Sequence, residues 1–126
     1  MSWLYIDTHE SGVLRFALLK KGGRAKLRSI TGRGQKLLPK IAPYLLGLEG
    51  VFCVAGPGSF SAIRIGVLDA NLIARLKQVP LVGLEYHGDQ ETLAKAQEKL
   101  EFGNLHAVEY LAPIYDAEPN ITLPKA

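Results

Sequence analysis

The chain has 126 residues, of which 48% are hydrophobic and 21% charged, a composition that fits one globular domain and excludes a disordered chain. No apolar run approaches the ~20 residues that span a bilayer, and the opening MSWLYIDTHE has no basic segment leading into an apolar one. We therefore expect no membrane span and no secretory leader, and a cytoplasmic protein. The net charge is only +3, but every charged residue from Arg15 to Lys40 is basic, and acids prevail from Glu85 onward.

The first predicted element is a buried strand over Trp3 to Thr8. HESG (9–12) is a turn, Val13 to Lys20 a second strand, and KKGG (20–23) a further turn. Arg24 to Ile30 alternates in part and reads as a third strand, so the opening is an antiparallel meander. Within it, Arg24, Lys26 and Arg28, continued by Arg33 and Lys36, form a basic strip that is a candidate anion- or RNA-facing surface. The same strip also reads as a solvated sheet edge, since edge strands carry Lys against aggregation.

Gln35 to Leu46 has helical spacing, with Leu37, Leu38, Ile41, Tyr44 and Leu45 on one arc. Pro39 falls where a missing N–H costs little, whereas Pro43 lies deeper and should kink or shorten the helix. Val51 to Ala55 is a continuous apolar run and reads as a central strand. It holds the single cysteine, Cys53, which has no internal disulfide partner and reads as a small buried hydrophobe.

The loop GPGSF follows, and then the strongest predicted helix, Ser61 to Lys77. Pro57-Gly58 suits a type II turn, and Ser59 or Ser61 can cap the helix. Free N–H groups at that helix start would also attract an anion, so a phosphate-binding loop stays open beside the turn-and-cap reading. The loop lacks the lysine of a Walker P-loop and the G-x-S-x-G spacing of a nucleophile elbow. The helix carries two apolar stripes. Ile65, Leu68, Leu72 and Leu76 form a bulky one, and Ile63, Val67, Ala70 and Ala74 a smaller one, with Arg64, Asn71 and Arg75 between them on one side. One stripe can cover the sheet, and the other needs a neighbour in this chain or in a partner.

Leu81 to Leu84 is a further buried strand, and Asp89 to Phe102 a helix with Asp89 as its expected N-cap. Glu91, Lys95 and Glu98 lie at i,i+4 and i,i+3 spacing, as on a solvated face. His9, His87 and His106 show no metal-ligand spacing with Cys53 or each other and read as ordinary surface or loop residues. The order β-β-β-α-β-α-β-α implies an α/β fold with a mixed sheet and helices on its faces. We expect a domain over residues 1–104 and an extended tail, with at most one strand, over 105–126. The order is similar to the ribonuclease-H-like half of the actin, sugar kinase and Hsp70-type superfamily.

GPGSFSAIRIG (56–66) resembles the GPGSFTGLRIG signature of the TsaB family, also called YeaZ. LYIDTHESGVLRFAL resembles that family's first hairpin, RGQKLLPKI (33–41) its HSQRLLPxI-type helix start, and VPLVGLE (79–85) the strand after its signature helix. PIYD (113–116) resembles its late P-x-Y-x-R segment. The resemblance implies a non-catalytic partner of a TsaD-like enzyme, which makes threonylcarbamoyladenosine (t6A) next to the anticodon of tRNA. It implies no catalytic residue and no cofactor in this chain. ATP or ADP and metal would belong to partner proteins or their interface. Implied partners are the TsaD-like protein, a TsaE-like ATPase, a second copy of the chain when alone, and tRNA through the complex.

Gly56, Pro57, Gly58, Ser59, Phe60, Ser61 and Arg64 would form the signature loop and helix cap. The family's first two helices dock partners, which makes Leu37, Ile41, Tyr44, Leu45, Ile63, Val67, Ala70, Asn71 and Ala74 candidate docking residues. Several positions depart from the pattern: Ser61 and Ala62 for Thr and Gly, Arg33 for His, the extra Pro43, and Asp116 for the late arginine. The chain is also short, and its family-like tail implies internal loss of most of a second half. Two other readings stand beside this one. In a nucleotide-binding enzyme of the superfamily, Asp7 and HESG would occupy metal and phosphate positions. In a small tRNA-binding module, the basic strip would contact phosphates.

Overall fold

The structure, a computed structural model, describes residues 2–114. Among the described residues, five strands form one mixed sheet in the order β3-β2-β1-β4-β5. They are β1 (Ser2–Asp7), β2 (Val13–Leu19), β3 (Arg28–Thr31), β4 (Leu48–Gly56) and β5 (Leu81–Glu85). The meander β1-β2-β3 is antiparallel, and β4 pairs in parallel with both β1 and β5. The central position of β1 explains its uninterrupted apolar run, because it is covered on both faces. Leu4 and Ile6 face one core, while Trp3 and Tyr5 face the other.

Among the described residues, three α-helices cover the sheet: α1 (Leu37–Ile41), α2 (Phe60–Lys77) and α3 (Asp89–Phe102). Ile63, Val67, Ala70, Ile73 and Ala74 of α2, with Leu37 and Ile41 of α1, pack on Leu4, Ile6, Val51 and Cys53. Leu93, Ala96 and Leu100 of α3 pack on Trp3, Tyr5, Phe52 and Val54 across the sheet. The result is a three-layer α/β/α arrangement. Cys53 is buried and free, and burial pushes its thiol up.

Four local expectations need correction. The third strand is confined to residues 28–31, so Arg24 and Lys26 precede it on irregular backbone. The helix expected over 35–46 is broken into a five-residue α1 between two 3₁₀ turns, Gly34–Lys36 and Ala42–Tyr44, the second containing Pro43. A proline there removes an i→i−4 donor and shortens the helix. Gly88, at φ 110°, caps α3 in place of Asp89, which becomes the first helical residue. Ser59 is the N-cap of α2, but neither its side chain nor that of Ser61 makes the expected capping bond.

The tail packs on the domain as far as it is described. Val108 bridges to Leu81, Leu111 is buried, and the Ile114 N–H donates to the Ala55 carbonyl at 2.7 Å. Tyr115 and Asp116 of the PIYD stretch lie outside the described residues. No helix among the described residues is long and apolar enough to cross a membrane.

Candidate functional site

The loop between β4 and α2 serves close packing. Positive φ falls on Gly56 (128°) and not on Gly58, so Pro57-Gly58 is no type II turn. Gly58 lies so near the β1–β2 turn that a Cβ there would sit 2.5 Å from the His9 carbonyl oxygen. A Cβ on Gly66 would sit 2.1 Å from Thr8 Oγ1. The Ser59 N–H donates to the His9 carbonyl at 2.8 Å, and the Thr8 hydroxyl donates to the Ala62 carbonyl at 2.8 Å. The two glycines and these bonds fix the start of α2 against the end of β1. The Ser59 N–H that an anion would need is already engaged, which favours a packing role over a phosphate cradle.

The placement of α2 settles which stripe faces the sheet. Ile63, Val67, Ala70 and Ala74 are buried, as are Leu37 and Ile41, so these six are core residues and not a docking surface. Tyr44 and Leu45 are half-buried against the same core. Asn71 is committed within the chain: its amide donates to the carbonyls of Val67 and Leu111 and accepts from the Leu111 N–H at 2.8 Å. The physical reason is residue size, since Ala70, Ala74 and Gly66 let the helix approach the sheet closely. The bulky stripe is the exposed one, with Leu68 66%, Leu72 45% and Leu76 73% exposed, beside Ile65 at 37%.

Two clefts flank Ile65 on this outer face. One, of about 470 Å³, lies between the β1–β2 turn and the 32–35 loop. The other, of about 520 Å³, is lined by Arg64, Leu68, Tyr110 and Pro113. The Arg64 guanidinium sits over the Phe60 ring, 5.4 Å from its centroid. Arg24, Lys26, Arg28, Arg33 and Lys36 are all exposed, with Arg28 on the edge strand β3.

A second constellation lies where β1 ends, on the α3 side. Asp7 is fully buried, and its Oδ1 accepts the His9 N–H at 2.9 Å and meets His9 Nδ1 at 2.7 Å. The His9 ring stacks on Tyr86 with centroids 3.7 Å apart. The Tyr86 hydroxyl donates to Asp89 Oδ1 at 2.9 Å; burial first, then Asp89, push that hydroxyl up to about 12. Arg15 turns away from the basic run to reach Glu10 at 3.0 Å and Asp89 at 3.4 Å. Burial pulls its guanidinium down, and these carboxylates more than offset that. Asp7, His9 and Asp89 each offer one ligand atom, all within 4.8 Å of one another. His9 is therefore no ordinary surface residue. Sequence spacing missed the cluster because Asp89 arrives from a distant helix. The usable signal was an aspartate closing β1 and another opening the helix that follows β5, which the strand order brings to one edge of the sheet.

The sheet order and its two helical layers define a ribonuclease-H-like domain. Among solved structures, YeaZ from Pseudomonas aeruginosa superposes with TM-score 0.58 at 24% identity, over 67% of this chain and 43% of that one. A second structure, described as an uncharacterized protein from the same organism with similarity to peptidase YEAZ, gives the same values. A Thermus thermophilus RuvC structure covers 86% of the chain at TM-score 0.47 and 13% identity, too distant to argue from. The likeness to YeaZ is one of fold, and the match spans less than half of that protein. No family model and no curated protein matches the chain.

Proposed function

We propose that this chain is a TsaB-like, non-catalytic partner that docks on a TsaD-like enzyme and supports threonylcarbamoyladenosine formation in tRNA. The observation that carries the reading is the outer face of α2. The helix launched by GPGSF buries its small stripe and presents Ile65, Leu68, Leu72 and Leu76 to solvent. A contiguous bulky apolar stripe on an exposed helix is an interaction surface or a liability. Resemblance to the TsaB signature and likeness to the YeaZ fold both support the first. The chemistry of the loop also favours a docking role. His9 meets Ser59 backbone to backbone while its ring is turned to Asp7 and Tyr86, an arrangement unlike a serine–histidine pair.

In this reading nucleotide and catalytic metal lie in the partner or at its interface, a TsaE-like ATPase joins the complex, and tRNA is contacted through it. The chain forms a homodimer through the same stripe when alone. The test mixes the chain with the TsaD-like protein of the same organism and reads the mass in solution, with threonylcarbamoyladenosine measured after depletion. Association together with a fall in the modified base supports the reading. Separate masses and unchanged modification would sink it.

A further inference from the structure

We propose that Asp7, His9 and Asp89 bind a divalent first-row transition cation of the zinc type. The three ligand atoms come from the end of β1, the β1–β2 turn and the first turn of α3, all within 4.8 Å of one another. Ligands on one tetrahedral zinc lie about 3.4 Å apart, so an inward movement of Asp89, the most exposed of the three, completes the set in exchange for its contacts with Tyr86 and Arg15. An imidazole nitrogen with two carboxylates suits zinc better than magnesium or calcium, which favour oxygen alone. Three protein ligands leave a coordination position open to solvent on the Asp89 side.

Two further observations point to a cation. Asp7 Oδ2 is buried and accepts no hydrogen bond among the described residues, although a buried carboxylate oxygen is costly to leave unsatisfied. The Tyr5 hydroxyl, wholly buried on the same side of β1, is also without a partner and lies within the electrostatic reach of both Asp7 and Asp89. Charge agrees. Asp7, Glu10 and Asp89 face a single guanidinium, Arg15, which leaves two negative charges for one divalent ion to balance. The Tyr86 stack fixes the plane of the His9 ring before any ion arrives, and the 2.7 Å bond between His9 Nδ1 and Asp7 Oδ1 would give way to the ion. A bound ion would tie the β1–β2 turn to α3.

The test is calorimetric titration of the full chain with zinc chloride, paired with melting curves. One zinc per chain and a raised melting temperature are expected in the wild type. Affinity should fall at least tenfold in His9→Ala and in Asp89→Asn, and stay unchanged in His106→Ala. No binding by the wild type would overturn the proposal. So would binding that survives both His9→Ala and Asp89→Asn, since the ion would then sit elsewhere.

Discussion

Val67 and Leu68 are neighbours on α2 with opposite surroundings, which makes a paired substitution to glutamate informative. Val67 is 3% exposed and packs in the core beneath the helix, whereas Leu68 is 66% exposed. In Val67→Glu the core loses the burial of a valine, about 1.5–3 kcal/mol. It must also take in a carboxylate with no cation beside it, at a cost of several kcal/mol more. The sum rivals the ~5–15 kcal/mol of net stability common to single domains, so Val67→Glu should be largely unfolded in urea titrations. Leu68→Glu should stay within about 0.5 kcal/mol of wild type, as exposed substitutions do. If the outer stripe docks a partner, Leu68→Glu loses about 1.5–3 kcal/mol of association, roughly tenfold to a hundredfold in affinity. Denaturant midpoints and light scattering read the two effects separately. A stable Val67→Glu that fails only in association would refute this assignment of the stripes.

Asp69 is a nearly buried acid on α2, and burial raises its carboxyl to about 6. A folded value above the unfolded one means that ionisation costs stability, the cost appearing as pH rises from about 4 through 6. After allowance for partial solvent screening, Asp69→Asn should gain about 1–2 kcal/mol at pH 7.5 and almost nothing at pH 4, read by melting curves at both. Gly66→Ala should cost about 1–3 kcal/mol, because its Cβ would meet Thr8 Oγ1 at 2.1 Å. Thr8→Ala in the same chain should recover part of that loss, and a purely additive double mutant would argue against the contact. If the complex contacts tRNA through the basic strip, Arg28→Glu with Lys26→Glu should weaken its tRNA binding and flatten the salt dependence in filter binding. Unchanged salt dependence would place the contact elsewhere.

Much of the fold was legible because its strongest elements obey simple periodicities. The runs at 3–8 and 51–55 are continuous because β1 and β4 are covered on both faces, and the length of α2 follows from its unbroken 3.6-residue pattern. The orientation of α2 was not legible. Both stripes have helical spacing, and only three-dimensional fit shows that Ala70, Ala74 and Gly66 allow the close approach while the leucines remain outside. This is why Val67, first placed on a docking face, belongs to the core. The capping serines misled for a related reason: the start of α2 is held by backbone and by Thr8, residues far away in sequence. The Asp7–His9–Asp89 cluster was hidden by separation, since ligand spacing along a chain reports only local sites. Asp89 looked like a helix cap, and its side chain instead turns to Tyr86 and Arg15.

The proposed docking of a TsaD-like protein on the outer stripe of α2 can be read in solution. The most direct measurement is the solution mass of the chain mixed with the TsaD-like protein of the same organism, for wild type and for Leu68→Glu. A heterodimer is expected with the wild-type chain, and separate masses with the variant. Two separate masses with the wild type, or an undiminished heterodimer with Leu68→Glu, would contradict it.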